Sequence, residues 1–493
     1  MSQPSAPARG GRIAYEPALD GLRGAGLVAM LCFHARFEWA KGGFLALAMF
    51  FTLSGYLITS LFLAEREQTG RIDVLAFWGR RLRRLMPAAI LTLAGMSLFG
   101  WLVATPEQAS RLRADVVSAL FYFANWHLLW SDAAYTYLFE APSPVHHFWS
   151  LSIEEQFYFA FPPLLLAFLA LARGPRARLG VLLLAASLAS VVAGIALTVS
   201  GSSIDRMYYG TDARACEILL GTWAAVVLRD GIASGPRVQL ALRRLGLPAL
   251  AAMVLLWGTI DLESRWLYEG GLAAYALLSI AVIAAAVQSG STVHAVLSAP
   301  ILLWLGRVSY GAYLFHWPLF LWISPERTGM GEAMTFVMRL LVTFALAELS
   351  LRLLETPIRT RRALTGWRPW LATPVAFAGV VIAVAAVPAS SIGGADLGVD
   401  EEAVKAFAAR FKARRRPLDP PPPDPTTDRP RIAVFGDSTA VPISLGLHYV
   451  LDRRDIGRVA EGFPELGCGL LRKGQFRTGT TLHSRQGCAR REI

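Results

Sequence analysis

Eleven apolar stretches recur along this chain, most of them close to the roughly 20 residues that a helix needs to cross a bilayer. They cover residues 21–38, 43–64, 86–105, 148–171, 179–199, 212–229, 246–262, 270–288, 300–323, 333–354 and 369–389. Inside lipid every backbone polar group must bond within the protein, so such segments fold as helices. The composition agrees, with 54% hydrophobic and only 17% charged residues, where a soluble domain carries roughly a quarter charged. The expected fold is an all-α polytopic membrane helix bundle of about 11 transmembrane helices. The first stretch is the weakest, because Arg23, His34 and Arg36 interrupt it.

The formal charge of +12 does not point to nucleic acid. Its arginines gather in short loops: Arg66 to Arg84, Arg173 to Arg178, Arg229 to Arg244 and Arg359 to Arg368. The alternate loops are much poorer. Arginine-rich loops stay on the cytoplasmic side, and these all fall on the side of the N-terminus. Residues 1–19 then form a cytoplasmic segment, and an odd number of spans places the C-terminus outside. No cleavable signal peptide is evident.

Composition changes after residue 390. Residues 391–430 hold the proline run LDPPPPDPTTDRP, extended and stiff, and read as an extracytoplasmic linker. Then RIAVFGDSTAVPISLGLHYVL reads as strand, turn and helix, the opening of an α/β domain at 431–493. Some 60 residues are few for such a domain, so the chain is expected to be part of a longer one. Cys32 and Cys216 fall in apolar stretches and read as inert core. Cys468 and Cys488 fall in the polar tail, where an oxidising compartment would permit a disulfide between them. No metal-ligand spacing is present.

Polar groups in lipid are expensive and tend to mark a site. Arg23 and His34 are eleven residues apart, so they share a helix face at about 16 Å along the axis; an imidazole there suits proton transfer. Residues 77–87 (FWGRRLRRLMP) cluster guanidiniums that suit phosphate. His147, Ser150, Glu154 and Tyr158 fall on one face, with Glu155 directed elsewhere. Ser309, Tyr313 and His316 fall on another. Smaller signals are FFTLSG at 50–55, Arg214 with Glu217, and Glu355 with Arg359; each alone reads as structural. Ser438, in the turn Gly436-Asp437-Ser438, has the setting of a nucleophile.

Taken together, LDGLRG (19–24), His34, FFTLSGYLI (50–58), RRLRRLMP (80–87), HFWSLSIEEQFY (147–158), SYGAYLFHWP (309–318) and ETPIR (355–359) resemble the membrane acyltransferase family 3, which modifies cell-envelope glycans. The resemblance covers residues 20–360, with 361–390 an additional transmembrane helix. It implies transfer of an acyl group, usually acetyl, from cytoplasmic acyl-CoA as co-substrate, with no bound cofactor. The group crosses the bacterial plasma membrane to a hydroxyl of a glycan or glycolipid outside. It implies that Arg23 and His34 are the essential pair, His34 acting as base or transient acyl carrier, and that Arg81 and Arg84 contact the acyl-CoA. His147, Ser150, Glu154, Glu155, Tyr310, Tyr313 and His316 are the candidates for the substrate and acyl pathway. The tail resembles the start of an SGNH domain, in which Ser438 is the nucleophile; that domain's later blocks are not identifiable before Ile493. The competing readings are a transporter of a polar or lipid-linked solute and a sensor. A transporter does not call for a tethered GDS turn, and no internal repeat of the transporter kind is evident.

Overall fold

The computed structural model describes residues 15–104, 106–131, 142–172, 176–229, 235–363 and 368–387, with four short strands between 431 and 484. The chain divides into two compact units, Met1–Ser390 and Ser391–Ile493.

The first unit is helical. Its main helices are α1 (Pro17–His34), α2 (Leu45–Thr69), α3 (Val74–Leu102), α4 (Pro106–Leu120), α5 (Ala124–Trp130), α6 (Phe148–Ala172) and α7 (Arg176–Val199). They continue as α8 (Thr211–Arg229), α9 (Pro236–Thr259), α10 (Gly271–Ala286), α11 (Pro300–Trp322), α12 (Glu332–Ser350) and α13 (Arg368–Ala385). Local chemistry sets many boundaries. Proline opens α1, α9 and α11 within their first two positions, where its missing N–H costs nothing. The Asp73 side chain caps α3 by accepting from the Ala76 amide. Gly70, at φ 75°, ends α2.

Each of the eleven expected stretches contains a helix, but among the described residues six helical segments are long and apolar enough to cross a membrane: Glu38–Thr69, Val74–Leu102, Phe148–Ala172, Arg178–Val199, Pro236–Thr259 and Glu332–Arg359. Gly271–Ala286 and Leu371–Ala385 are apolar but shorter. The helices outside both sets include α1, α8 and α11, which carry Arg23 and His34, Arg214 and Glu217, and His316. The first helix also differs from expectation at both ends. It runs from 17 to 34 rather than 21 to 38, because Pro17 starts it early and Arg36, at φ 61°, turns the chain out of it. His34 is therefore the last residue of α1 and not a mid-helix group. Helices α4 and α5 lie outside the eleven stretches, since neither has the apolar length of a span.

Two crossings hold the core together. Between α1 and α11 the backbones approach so closely that an added Cβ at Gly24 would lie 2.3 Å from the Leu302 carbonyl oxygen. At Gly306 it would lie 1.9 Å from that of Asp20. Between α2 and α8, Gly55 and Gly221 each place the missing Cβ 2.0 Å from a carbonyl oxygen of the facing helix, those of Ile218 and Thr52. Small residues at such crossings are how membrane helices pack without a hydrophobic drive. The remaining apolar side chains fill the spaces around them, with Leu22, Met30, Ala46, Met49 and Ala312 fully buried.

In the second unit, β1 (Arg431–Ala433) pairs in parallel with β2 (Arg458–Ala460), with Ile432 opposite Val459. Strands β3 (Gln475–Thr478) and β4 (Thr481–Ser484) form an antiparallel pair. Residues 434–457, including Gly436, Asp437 and Ser438, lie outside the described residues, as do Cys468 and Cys488.

Replacing Gly306 by Ala should lower stability by about 1–3 kcal/mol, because the facing backbone must move. Gly95→Ala on α3, where nothing lies within 4 Å of the added atom, should be neutral or slightly stabilising. Thermal unfolding of both variants in detergent checks this.

Candidate active site

Five helices converge on a cavity of about 110 Å³. Helix α1 contributes Arg23 and Leu27, α2 contributes Phe50, Phe51 and Ser54, and α3 contributes Arg81 and Arg84. Helix α6 contributes Ser150, Glu154 and Tyr158, and α11 contributes Ser309, Tyr310 and Tyr313.

One end of the cavity is cationic. Arg23 is paired with Asp20 at 2.8 Å. Arg81 lies over the Tyr158 ring, 3.9 Å from its centroid, and its Nε has no hydrogen-bond partner among the described residues. Arg84 likewise has no ion-pair partner among them. Neither guanidinium forms a direct ion pair among the described residues, although both act at longer range on Glu155, and their fork geometry suits phosphate. Beside them, Ser54 Oγ donates to Glu154 Oε1 at 2.7 Å. The Tyr158 hydroxyl lies 2.9 Å from Ser54 Oγ and 3.2 Å from Glu154 Oε2, with one proton to give. This closed triangle fixes the Glu154 carboxylate within the wall. Glu155 does not line the cavity; Arg81 and Arg84 are the opposite charges that act on it.

The other end leads to histidines. The Tyr313 hydroxyl donates to the His147 carbonyl at 2.8 Å and lies 2.5 Å from Ser150 Oγ, which closes the cavity there. About one turn further along α11 is His316, fully buried. Its Nε2 lies 3.0 Å from His34 Nδ1, with the two rings stacked at 5.0 Å. Trp317 and Phe33 flank the His34 ring at 5.0 and 5.3 Å. His147, 2% exposed, has Nε2 3.0 Å from the Leu314 carbonyl. That carbonyl is free to accept because Pro318, four residues on, has no N–H to give it. A carbonyl can only accept, so the proton is on His147 Nε2. Its Nδ1 is then an acceptor, and it has no partner among the described residues.

This bundle matches the family model described as an acyltransferase domain over residues 16–387. The chain belongs to that acyltransferase family. It is 35% identical over 349 residues to the peptidoglycan O-acetyltransferase OatA of Listeria monocytogenes, covering 70% of this chain and 56% of that protein. It is 34% identical over 353 residues to the O-acetyltransferase OatA of Staphylococcus aureus, covering 70% and 58%. It is 36% identical over 353 residues to the putative peptidoglycan O-acetyltransferase YrhL of Bacillus subtilis, covering 70% and 55%. The chain thus spans little more than half the length of these curated relatives. No solved structure matches it.

Behind the cavity wall of the acyltransferase domain lies a fully buried ion pair. Arg214 and Glu217 are both 0% exposed. Arg214 Nε donates to both Glu217 oxygens at 3.0 and 3.2 Å, and Nη1 donates to the Tyr208 carbonyl at 3.1 Å. The guanidinium sits 5.1 to 5.6 Å from the ring centroids of Tyr208, Phe51 and Trp149. It therefore supports Phe51, which lines the cavity, and Trp149, the neighbour of Ser150.

Of the candidates from sequence, Arg23, Arg81, Arg84, Ser150, Glu154, Tyr310 and Tyr313 share the cavity. His34, His147 and His316 form a separate cluster beyond it. His147 lies one residue before α6, which begins at Phe148, and both it and Ser150 contact α11, through the Leu314 carbonyl and the Tyr313 hydroxyl. Ser54 carries more than its short motif suggested, since it anchors Glu154. Ser309 lines the cavity as expected of its face, while its hydroxyl bonds the Gly306 carbonyl. Glu355 is buried in the π-helical turn Leu351–Glu355 and accepts from Ser350 at 2.9 Å. It is not part of the cavity lining, in keeping with a structural role.

Arg214→Met should cost about 3–5 kcal/mol, because it strands the Glu217 charge in the core. The double variant Arg214→Met, Glu217→Leu should recover most of that loss. Thermal denaturation of the three proteins in detergent decides it.

Proposed function

We propose that this protein is a membrane O-acyltransferase. It moves an acyl group from cytoplasmic acyl-CoA to a hydroxyl of a cell-envelope glycan or glycolipid outside. The observation that carries this reading is a pair of arginines, Arg81 and Arg84, that form no direct ion pair among the described residues and line a cavity whose far end approaches a histidine cluster, in a chain of the acyltransferase family. The relatives' names favour acetyl as the group and a peptidoglycan hydroxyl as the acceptor. The arginine-rich loops favour a cytoplasmic N-terminus, about 11 spans, and residues 391–493 outside the membrane.

In this mechanism the phosphates of acyl-CoA bind Arg81, Arg84 and Arg23 from the cytoplasmic side. The pantetheine arm extends past Glu154 and Tyr313. Arg23 and His34 are separated by about 16 Å of helix, a span that an extended pantetheine can bridge once the Ser150–Tyr313 contact opens. His34 Nε2 takes the proton of the incoming hydroxyl. The acyl carbon then forms its bond to that oxygen and breaks its bond to sulfur, and the thiolate recovers the proton from His34. The acceptor is a sugar hydroxyl or, in a longer protein with a complete SGNH domain, the Ser438 hydroxyl as an intermediate station.

The test uses membranes carrying the protein, radiolabelled acetyl-CoA and envelope glycan fractions. The wild type should release CoA and label the glycan. His34→Ala should lower both by about 10²-fold or more while melting like the wild type. Arg84→Ala should raise KM for acetyl-CoA about tenfold, the loss of one charged contact. Turnover at the wild-type rate in His34→Ala would sink the mechanism.

A further inference from the structure

We infer that His316 is a positioning residue for His34, holding it in the one neutral tautomer that leaves Nε2 free to act as a base. The inference rests on the acyl-transfer reading for its consequence but on hydrogen-bond chemistry for its content. His316 Nδ1 lies 2.6 Å from the Tyr313 carbonyl oxygen. A carbonyl accepts and never donates, so Nδ1 carries the proton and a neutral His316 presents a bare lone pair at Nε2. That lone pair faces His34 Nδ1 at 3.0 Å. The second neighbour of His34 Nδ1 is the Met30 thioether at 2.9 Å, which also only accepts. Both contacts therefore require the proton on His34 Nδ1. The neutral ring then has its lone pair on Nε2, which makes no hydrogen bond among the described residues.

The arrangement is a base oriented by a second group that is itself oriented by a third, the general logic of an activated side chain. Here the third group is a backbone carbonyl. When His34 Nε2 takes a proton from the acceptor hydroxyl, its ring becomes imidazolium, and the Nδ1–H contact to His316 becomes charge-assisted. When the thiolate recovers that proton, the pair returns to its starting state, so no net proton is gained or lost. His316 is fully buried and contacts His34 across the α1–α11 crossing, so water does not substitute for it. Tyr313 serves both ends: its side chain lines the cavity and its carbonyl holds His316.

His316→Gln and His316→Phe separate this role from simple packing. The glutamine oxygen can accept from His34 Nδ1 near the position of the lost Nε2; phenylalanine cannot. Acetyl transfer by His316→Phe should lose at least about 30-fold in kcat with KM for acetyl-CoA within twofold, and His316→Gln should recover a substantial part of kcat. A second readout needs no acyl transfer: carbethoxylation of His34 by diethyl pyrocarbonate, followed by mass spectrometry of its peptide. That rate should fall several-fold in His316→Phe and stay near wild type in His316→Gln, with melting temperatures measured alongside. Equal His34 modification rates in all three folded proteins, or a wild-type His34 that resists the reagent, would overturn the inference. A wild type that fails to transfer acetyl but shows the expected modification pattern would instead count against the proposed function alone.

Discussion

The backbone contact between α1 and α11 is the constraint on which the rest of the site depends. Three interacting groups, His34, His316 and Tyr313, lie on these two helices, and their separations are hydrogen-bond distances. Such distances survive only if the helix axes cannot drift. Gly24 and Gly306 supply that restraint by letting one helix rest on carbonyl oxygens of the other, so the spacing is set by backbone atoms and not by flexible side chains. Lipid offers little hydrophobic drive for helix association, which makes this close fit the dominant local term.

The bundle separates two kinds of chemistry along one axis. At one end Arg81 and Arg84 form no direct ion pair among the described residues, and Glu154 is held by Ser54 and Tyr158. At the other, imidazoles are held by backbone carbonyls that leave one nitrogen of each ring committed. Proline is used for this purpose: Pro318 frees the Leu314 carbonyl for His147. Between the two ends the Ser150–Tyr313 contact closes the cavity. A binding region for charge and a region for proton transfer can thus be kept apart until a long ligand spans both.

The buried Arg214–Glu217 pair plays a quieter part. Its desolvation is offset by two carboxylate contacts, a carbonyl and three aromatic rings. It ties α8 to α2 and α6 at the wall behind Phe51 and Trp149. Both side chains are fully buried, and neither lines the cavity.

Much of this was legible in the sequence, for identifiable reasons. Apolar stretches of bilayer length specify helices because unsatisfied backbone is intolerable in lipid, and each expected stretch contains one. Helical periodicity placed Ser150, Glu154 and Tyr158 on one face, and they share the cavity. Periodicity carried the first helix past His34, because a positive φ at Arg36 has no signature in a non-glycine residue. What only the tertiary structure decided is which faces meet. Gly24, Gly306, Pro318 and Tyr313 are ordinary residues in a string. Their meaning comes from residues 163 to 282 positions away and more, through contacts that depend on how helices cross rather than on how each one forms. The choice of helices, and of the polar groups they carry, was in the sequence. The tautomer of His34, and the separation of the arginine cavity from the histidines, exist only in the packed bundle.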